Sequence, residues 1–114
     1  TIGQGTSVSA NTVDLNQTGN NNAATFYQIS QSSGNSMSAV QNGNGNQATA
    51  LQDSYAISNS LNLTQAGNNN VAGLTQGYSA TGNTGDLTQT GNGNQITLSQ
   101  TYTAVTNSAT ATQN

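Results

Sequence analysis

Apolar and polar residues alternate in short runs, and the runs repeat. Val13 and Leu15 alternate with Asp14 and Asn16, and Ala24 and Phe26 flank Thr25. The same positions recur every 24 residues: Met37, Ala39, Ala48 and Ala50; Leu61, Leu63, Ala72 and Leu74; Gly85, Leu87, Ile96 and Leu98. Period-two alternation predicts strands with one buried face. A fixed period of this length predicts a repeat architecture. Helix is a poor reading, because the period is wrong and Asn, Gly, Ser and Thr are weak helix formers.

Each repeat predicts a strand, a tight turn and a second strand. The turns are Gly19–Asn22, Gly43–Asn46, Gly67–Asn70 and Gly91–Asn94, led by Gly19, Gly43, Gly67 and Gly91. Gly and Asn tolerate the positive φ that such a reversal needs. The return links, such as Asp53–Ser58 and Thr101–Thr106, vary more and carry Tyr55, Tyr78 and Tyr102. They are expected to form a looser second arc. Folded about its turn, the first repeat sets Leu15 against Ala24 and Val13 against Phe26. Small faces large elsewhere: Gly85 opposes Leu98, and Met37 opposes Ala50. The second rung (Met37, Ala39, Ala48, Ala50) is thinly filled and is expected to be the least stable.

The predicted fold is therefore an all-β solenoid of strand-turn-strand rungs, stacked parallel and in register as two facing sheets. One domain spans 1–114: a partial rung 1–10, repeats 11–34, 35–58, 59–82 and 83–106, and a partial rung 107–114.

Amides punctuate every rung at fixed places. One Gln column is Gln17, Gln41, Gln65, Gln89 and Gln113; a second is Gln4, Gln28, Gln52, Gln76 and Gln100. One Asn column is Asn11, Asn35, Asn59, Asn83 and Asn107; another is Asn22, Asn46, Asn70 and Asn94. Stacked at about 4.8 Å, each amide can donate to its neighbour above and accept from the one below. A buried amide without such partners costs about 1–3 kcal/mol, so the ladders also fix register.

Composition narrows the function. The chain has no Lys, Arg, His, Cys or Pro, and only Asp14, Asp53 and Asp86 carry side-chain charge. With no cation to neutralise phosphates, nucleic-acid binding is not expected. No apolar run reaches the roughly 20 residues of a membrane span. No carboxylate pair, nucleophile with base, or metal-ligand cluster is legible, so no catalytic, cofactor or metal site is expected. The three Asp read as outward, solvated charges.

The motif Gln-x-Gly-x-x-Asn-x-Ala-x-x-x-Gln, met at Gln17, Gly19, Asn22, Ala24 and Gln28 and again from Gln41, Gln65 and Gln89, resembles the curlin repeat of bacterial curli fibre subunits. Ile96 stands in place of the last Ala. Asn11 and its column stand where curlin repeats commonly have Ser. The resemblance implies a protein secreted to the extracellular space or cell surface that polymerises there as biofilm-matrix amyloid. It also implies a nucleator and secretion accessory proteins as partners. The lack of a basic repeat makes the chain similar to a major rather than a nucleating subunit.

Neither end reads as a cap, and edges lack the usual protective Lys or Pro. An uncapped solenoid is expected to add copies of itself head to tail, a heterologous contact that does not close. Treating the chain as the full mature protein, the half-rung Asn107–Gln113 is a first strand and Thr1–Gln4 a second. Ile2, Gln4, Asn107, Ala109, Ala111 and Gln113 are then expected to form the subunit joint. The rival readings are a solenoid that does not polymerise: an ice binder, suggested by the column Thr1, Thr25, Thr49 and Thr97 that Gly73 interrupts, or an adhesin module.

Overall fold

The computed structural model describes the whole chain, Thr1–Asn114. It contains ten strands and no helix: β1 (Ile2–Gln4), β2 (Thr12–Thr18), β3 (Ala23–Gln28), β4 (Ser36–Asn44), β5 (Gln47–Asp53), β6 (Ser60–Asn68), β7 (Val71–Gly77), β8 (Thr84–Asn92), β9 (Gln95–Thr101) and β10 (Ser108–Gln113). One sheet runs β1-β3-β5-β7-β9 and the other β10-β8-β6-β4-β2. Every pairing is parallel. The architecture is the β-solenoid expected from the pattern.

Register follows the repeat without a slip. Gln17 pairs with Gln41, Gln41 with Gln65, Gln65 with Gln89 and Gln89 with Gln113. Gln4 pairs with Gln28 and the column continues to Gln100. A shift by one residue would turn every apolar side chain outward.

The core is a slab between the sheets. Ala24, Phe26, Met37, Ala39, Ala48, Ala50, Leu61, Leu63, Ala72, Leu74 and Leu87 form one buried cluster, with Val13, Leu15, Ile96 and Leu98 packed against its ends. The thin second rung is closed by its neighbours. Phe26 lies in register with Ala50, and Met37 with Leu61. Both Phe26 and Met37 are 1% exposed. Gly85 is buried in the same slab, and a Cβ there would meet Leu61 Cδ2 at 2.9 Å and Leu98 Cδ2 at 3.4 Å. The missing side chain is thus the space its leucine neighbours occupy.

The second arc is more closely built than expected. Ser9, Ser33, Ile57, Thr81 and Val105 form a column of single parallel bridges. One residue earlier, Ser32, Ala56 and Ala80 are completely buried. Two consecutive left-handed residues turn each full arc: Ser30 and Gln31, Ser54 and Tyr55, Tyr78 and Ser79, Tyr102 and Thr103. Such residues cost about 1–2 kcal/mol each. Bonds between arcs hold them there: Tyr55 N donates to Ser30 O at 3.1 Å, Ser79 N to Ser54 O at 2.9 Å, and Thr103 N to Tyr78 O at 2.8 Å.

Candidate assembly interface

The residues singled out by the repeat meet in columns parallel to the solenoid axis, and the columns differ in chemistry. In the first Gln column, Gln17 Nε2 donates to Gln41 Oε1 (2.5 Å), Gln41 to Gln65 (2.8 Å) and Gln65 to Gln89 (2.8 Å). The second hydrogen of each inner amide crosses to the facing strand of the preceding rung. Gln41 Nε2 donates to Ala23 O, Gln65 to Gln47 O and Gln89 to Val71 O, all at 2.9–3.1 Å. The column stops short at Gln113, whose Oε1 is enclosed without a partner. The second Gln column runs unbroken from Gln4 through Gln28, Gln52 and Gln76 to Gln100 at 2.7–3.2 Å. Gln28, Gln41, Gln52, Gln65, Gln76 and Gln89 are wholly buried, so both amide ends must be satisfied within the protein.

The Asn columns rest mainly on backbone partners rather than on the expected amide-to-amide ladder, which appears in them only where Asn46 Nδ2 donates to Asn22 Oδ1 at 3.3 Å. Asn35 N donates to Asn11 Oδ1, Asn59 N to Asn35 Oδ1, Asn83 N to Asn59 Oδ1 and Asn107 N to Asn83 Oδ1, at 2.8–2.9 Å. Their Nδ2 groups donate to arc carbonyls: Asn35 to Ala56 O, Asn59 to Ala80 O and Asn83 to Ala104 O. The turn column follows suit. Asn46 N, Asn70 N and Asn94 N donate to the Oδ1 of Asn22, Asn46 and Asn70. Asn22, Asn46 and Asn70 Nδ2 donate to the carbonyls of Gly43, Gly67 and Gly91. Asparagine is one methylene shorter than glutamine. It sits where the chain turns, so it reaches backbone groups that the strand ladder no longer serves.

A fifth amide column escaped the sequence reading. Asn20 donates through both N and Nδ2 to Asn44 Oδ1, Asn44 likewise to Asn68, and Asn68 to Asn92. Its signal was the Asn that follows each turn Gly at every repeat. The turn glycines themselves have φ of 102, 126, 122 and 102 at Gly19, Gly43, Gly67 and Gly91. A Cβ on Gly19, Gly43 or Gly67 would run into the carbonyl oxygen of the glycine one rung on. Glycine is needed there for φ and for close approach of backbone to backbone.

The three Asp do not share one environment. Asp14 is exposed, and Asp86 accepts from Asn62 Nδ2 at 2.7 Å. Asp53 departs from the expected outward charge. At the end of β5, where the chain enters the arc, it is half-buried and its Oδ1 has no partner.

The outermost strands place the proposed joint residues. In the first sheet β1 pairs only with β3, and β9 only with β7; in the second, β2 pairs only with β4, and β10 only with β8. β1 and β10 therefore lie at opposite ends of the stack. Ile2, in the apolar column of Phe26, Ala50, Leu74 and Leu98, is 52% exposed. Ala109, Ala111 and Gln113 are half-buried, and Gln4 and Asn107 are exposed.

No protein-family model matches the chain, and no curated protein matches it in sequence. No helix is long and apolar enough to cross a membrane. The resemblance to curlin repeats rests on the repeated motif itself.

Proposed function

We propose that this chain is a structural subunit of a curli-like functional amyloid fibre, secreted and assembled outside the cell as matrix material. The observation that carries this reading is the equivalence of successive rungs. Each rung offers its neighbour the same backbone ladder, the same Gln and Asn partners and the same apolar slab. A second copy in register would find on the outer strands what each inner rung finds within the chain. Exposed, unguarded parallel edges are templates for such addition.

The proposed joint sets β10 of one copy opposite β1 of the next. Gln4 then continues from Gln100 and Ile2 from Leu98, while Gln17 Oε1 of the incoming copy accepts from Gln113 Nε2, as Gln65 Oε1 accepts from Gln41 Nε2 within the chain. Association is head to tail and open-ended. Accessory proteins for export and a nucleator are the partners this reading calls for, and it assigns no catalysis, cofactor or nucleic acid.

The test is to dilute denatured chain into buffer and follow thioflavin fluorescence, electron micrographs and fibre diffraction. Filaments with an axial reflection near ~4.8 Å support the reading. A folded monomer that stays soluble at high concentration overturns it. Removing both Thr1–Gln4 and Asn107–Asn114 should abolish or greatly slow filament growth; unchanged growth would remove the joint from the proposal.

A further inference from the structure

The second arc holds a pair of phenols that the ladders do not use. Tyr78 and Tyr102 occupy one column, with ring centroids 5.2 Å apart and planes within 8° of parallel. They are 61% and 75% exposed, so reagents in solution reach both. Their backbones share one left-handed conformation, φ 53 and 60, and are tied by the Thr103 N to Tyr78 O bond. The other two tyrosines lie elsewhere. Tyr27 stands on β3 between Gly3 and Leu51, and Tyr55 occupies the neighbouring arc column.

Composition directs oxidation to this pair. The chain has no Cys, Trp or His, and its single methionine, Met37, is 1% exposed. Thiol and thioether are the side chains usually oxidised first. Here the phenols are the most accessible groups that a one-electron oxidant can attack.

We propose that Tyr78 and Tyr102 are an oxidative cross-linking site, joined as a dityrosine by hydrogen peroxide acting through a haem peroxidase. The peroxidase takes one electron and one proton from each phenol, and the peroxide is reduced to two waters. The two phenoxyl radicals pair their unpaired electrons in a new carbon–carbon bond between one Cε of each ring. Those carbons release their hydrogens as protons, the oxygens regain protons, and both rings become phenols again. The product is the chain less two hydrogen atoms. The rings must slip from stacked to edge-on, which their exposure permits while the arc backbone stays bonded. The new bond ties successive rungs covalently and closes a loop as a disulfide would, constraining the unfolded chain. Both partners belong to one chain, so the site does not depend on polymerisation.

The test treats the folded full-length chain with hydrogen peroxide and a haem peroxidase, then maps cross-links by mass spectrometry. Cleavage before Asp53 and Asp86 puts Tyr102 on its own fragment, and fragmentation of the linked product separates Tyr78 from Tyr55. The expected result is a Tyr78–Tyr102 link, lighter by two hydrogens, exceeding all other tyrosine pairings combined. In urea-unfolded chain that preference should vanish. Tyr78→Phe, which keeps the ring stack, should abolish the dominant link, and Tyr55→Phe should leave its yield unchanged. Mixing isotopically labelled and unlabelled chains should give links within single chains only. The proposal is overturned if folded and unfolded chains give the same link distribution. It is equally overturned if Tyr27 or Tyr55 is consumed while Tyr78 and Tyr102 stay separate, or if the link joins different chains.

Discussion

Replacing Gln65 with leucine removes the middle of a ladder at nearly constant volume. Gln65 is completely buried, donates to Gln89 Oε1 at 2.8 Å and to Gln47 O at 3.0 Å, and accepts from Gln41 Nε2 at 2.8 Å. Three bonds at about 1 kcal/mol each, plus about 1–3 kcal/mol for the stranded Gln89 oxygen, set the loss. Burying leucine instead of an amide returns about 1.5–3 kcal/mol. The net destabilisation is then about 1–4 kcal/mol, centred near 3, or a fall in Tm on the order of 10 °C for a domain of this size. Gln17 is exposed and makes one such bond, but Gln17→Leu strands the buried Gln41 oxygen and buries little leucine in return, so it should cost about 2–4 kcal/mol. Converting Gln17, Gln41, Gln65 and Gln89 together to leucine strands no amide in the column. That quadruple variant should cost much less than the sum of its single changes. The assay is urea unfolding by far-ultraviolet circular dichroism, on freshly diluted chain at concentrations too low to sediment. A negligible loss at Gln65, or strict additivity across the column, would refute the ladder argument.

Gly67→Ala should be far worse than Gly91→Ala. Both need positive φ, worth about 1–2 kcal/mol, but only Gly67 has the next glycine's carbonyl in the way. In the same unfolding assay Gly67→Ala should lose about 4 kcal/mol from strain and overpacking combined. Gln65→Glu places a carboxyl at a wholly buried site, and burial raises its pKa above the unfolded value of about 4.3. The variant should therefore be most stable below that pH and lose stability as pH rises through the folded-state value, by pH-dependent urea unfolding. A flat profile would mean water reaches the ladder. Phe26→Ala should cost about 3–5 kcal/mol, because Ala50 in the next rung leaves nothing to fill the cavity; thermal unfolding reads this directly.

The strands, their register and the core slab were legible because each rung repeats the same problem. A residue's face is settled by Val13, Met37 and Leu61 together, so a weak member such as Gly85 does not obscure the column. The roles of the amides were half legible. Spacing brings Asn35 above Asn11, but side-chain length and the nearby turn decide that Oδ1 takes a backbone N–H rather than a neighbouring amide. The arc was the least legible part, since Ser54, Tyr55 and Ser58 do not advertise left-handed backbone. The available signal was Gly34 and Gly82 standing in the column of Ser58. The buried column of Ser32, Ala56 and Ala80 lay inside the same arc, its small residues giving too faint an apolar signal.

The constant register of 24 residues also governs how the solenoid comes into being. Every rung pays the same closure entropy, of the order of 3 kcal/mol for a loop of this length. The first rung pays it with no surface to fold against, and each later one is met by a finished ladder and slab. Low charge does little to slow the search, and no local helix can hold a foothold on the way. Such a chain should hesitate at the first turn of the winding and proceed readily once it exists, so whatever presents a ready edge decides when winding begins.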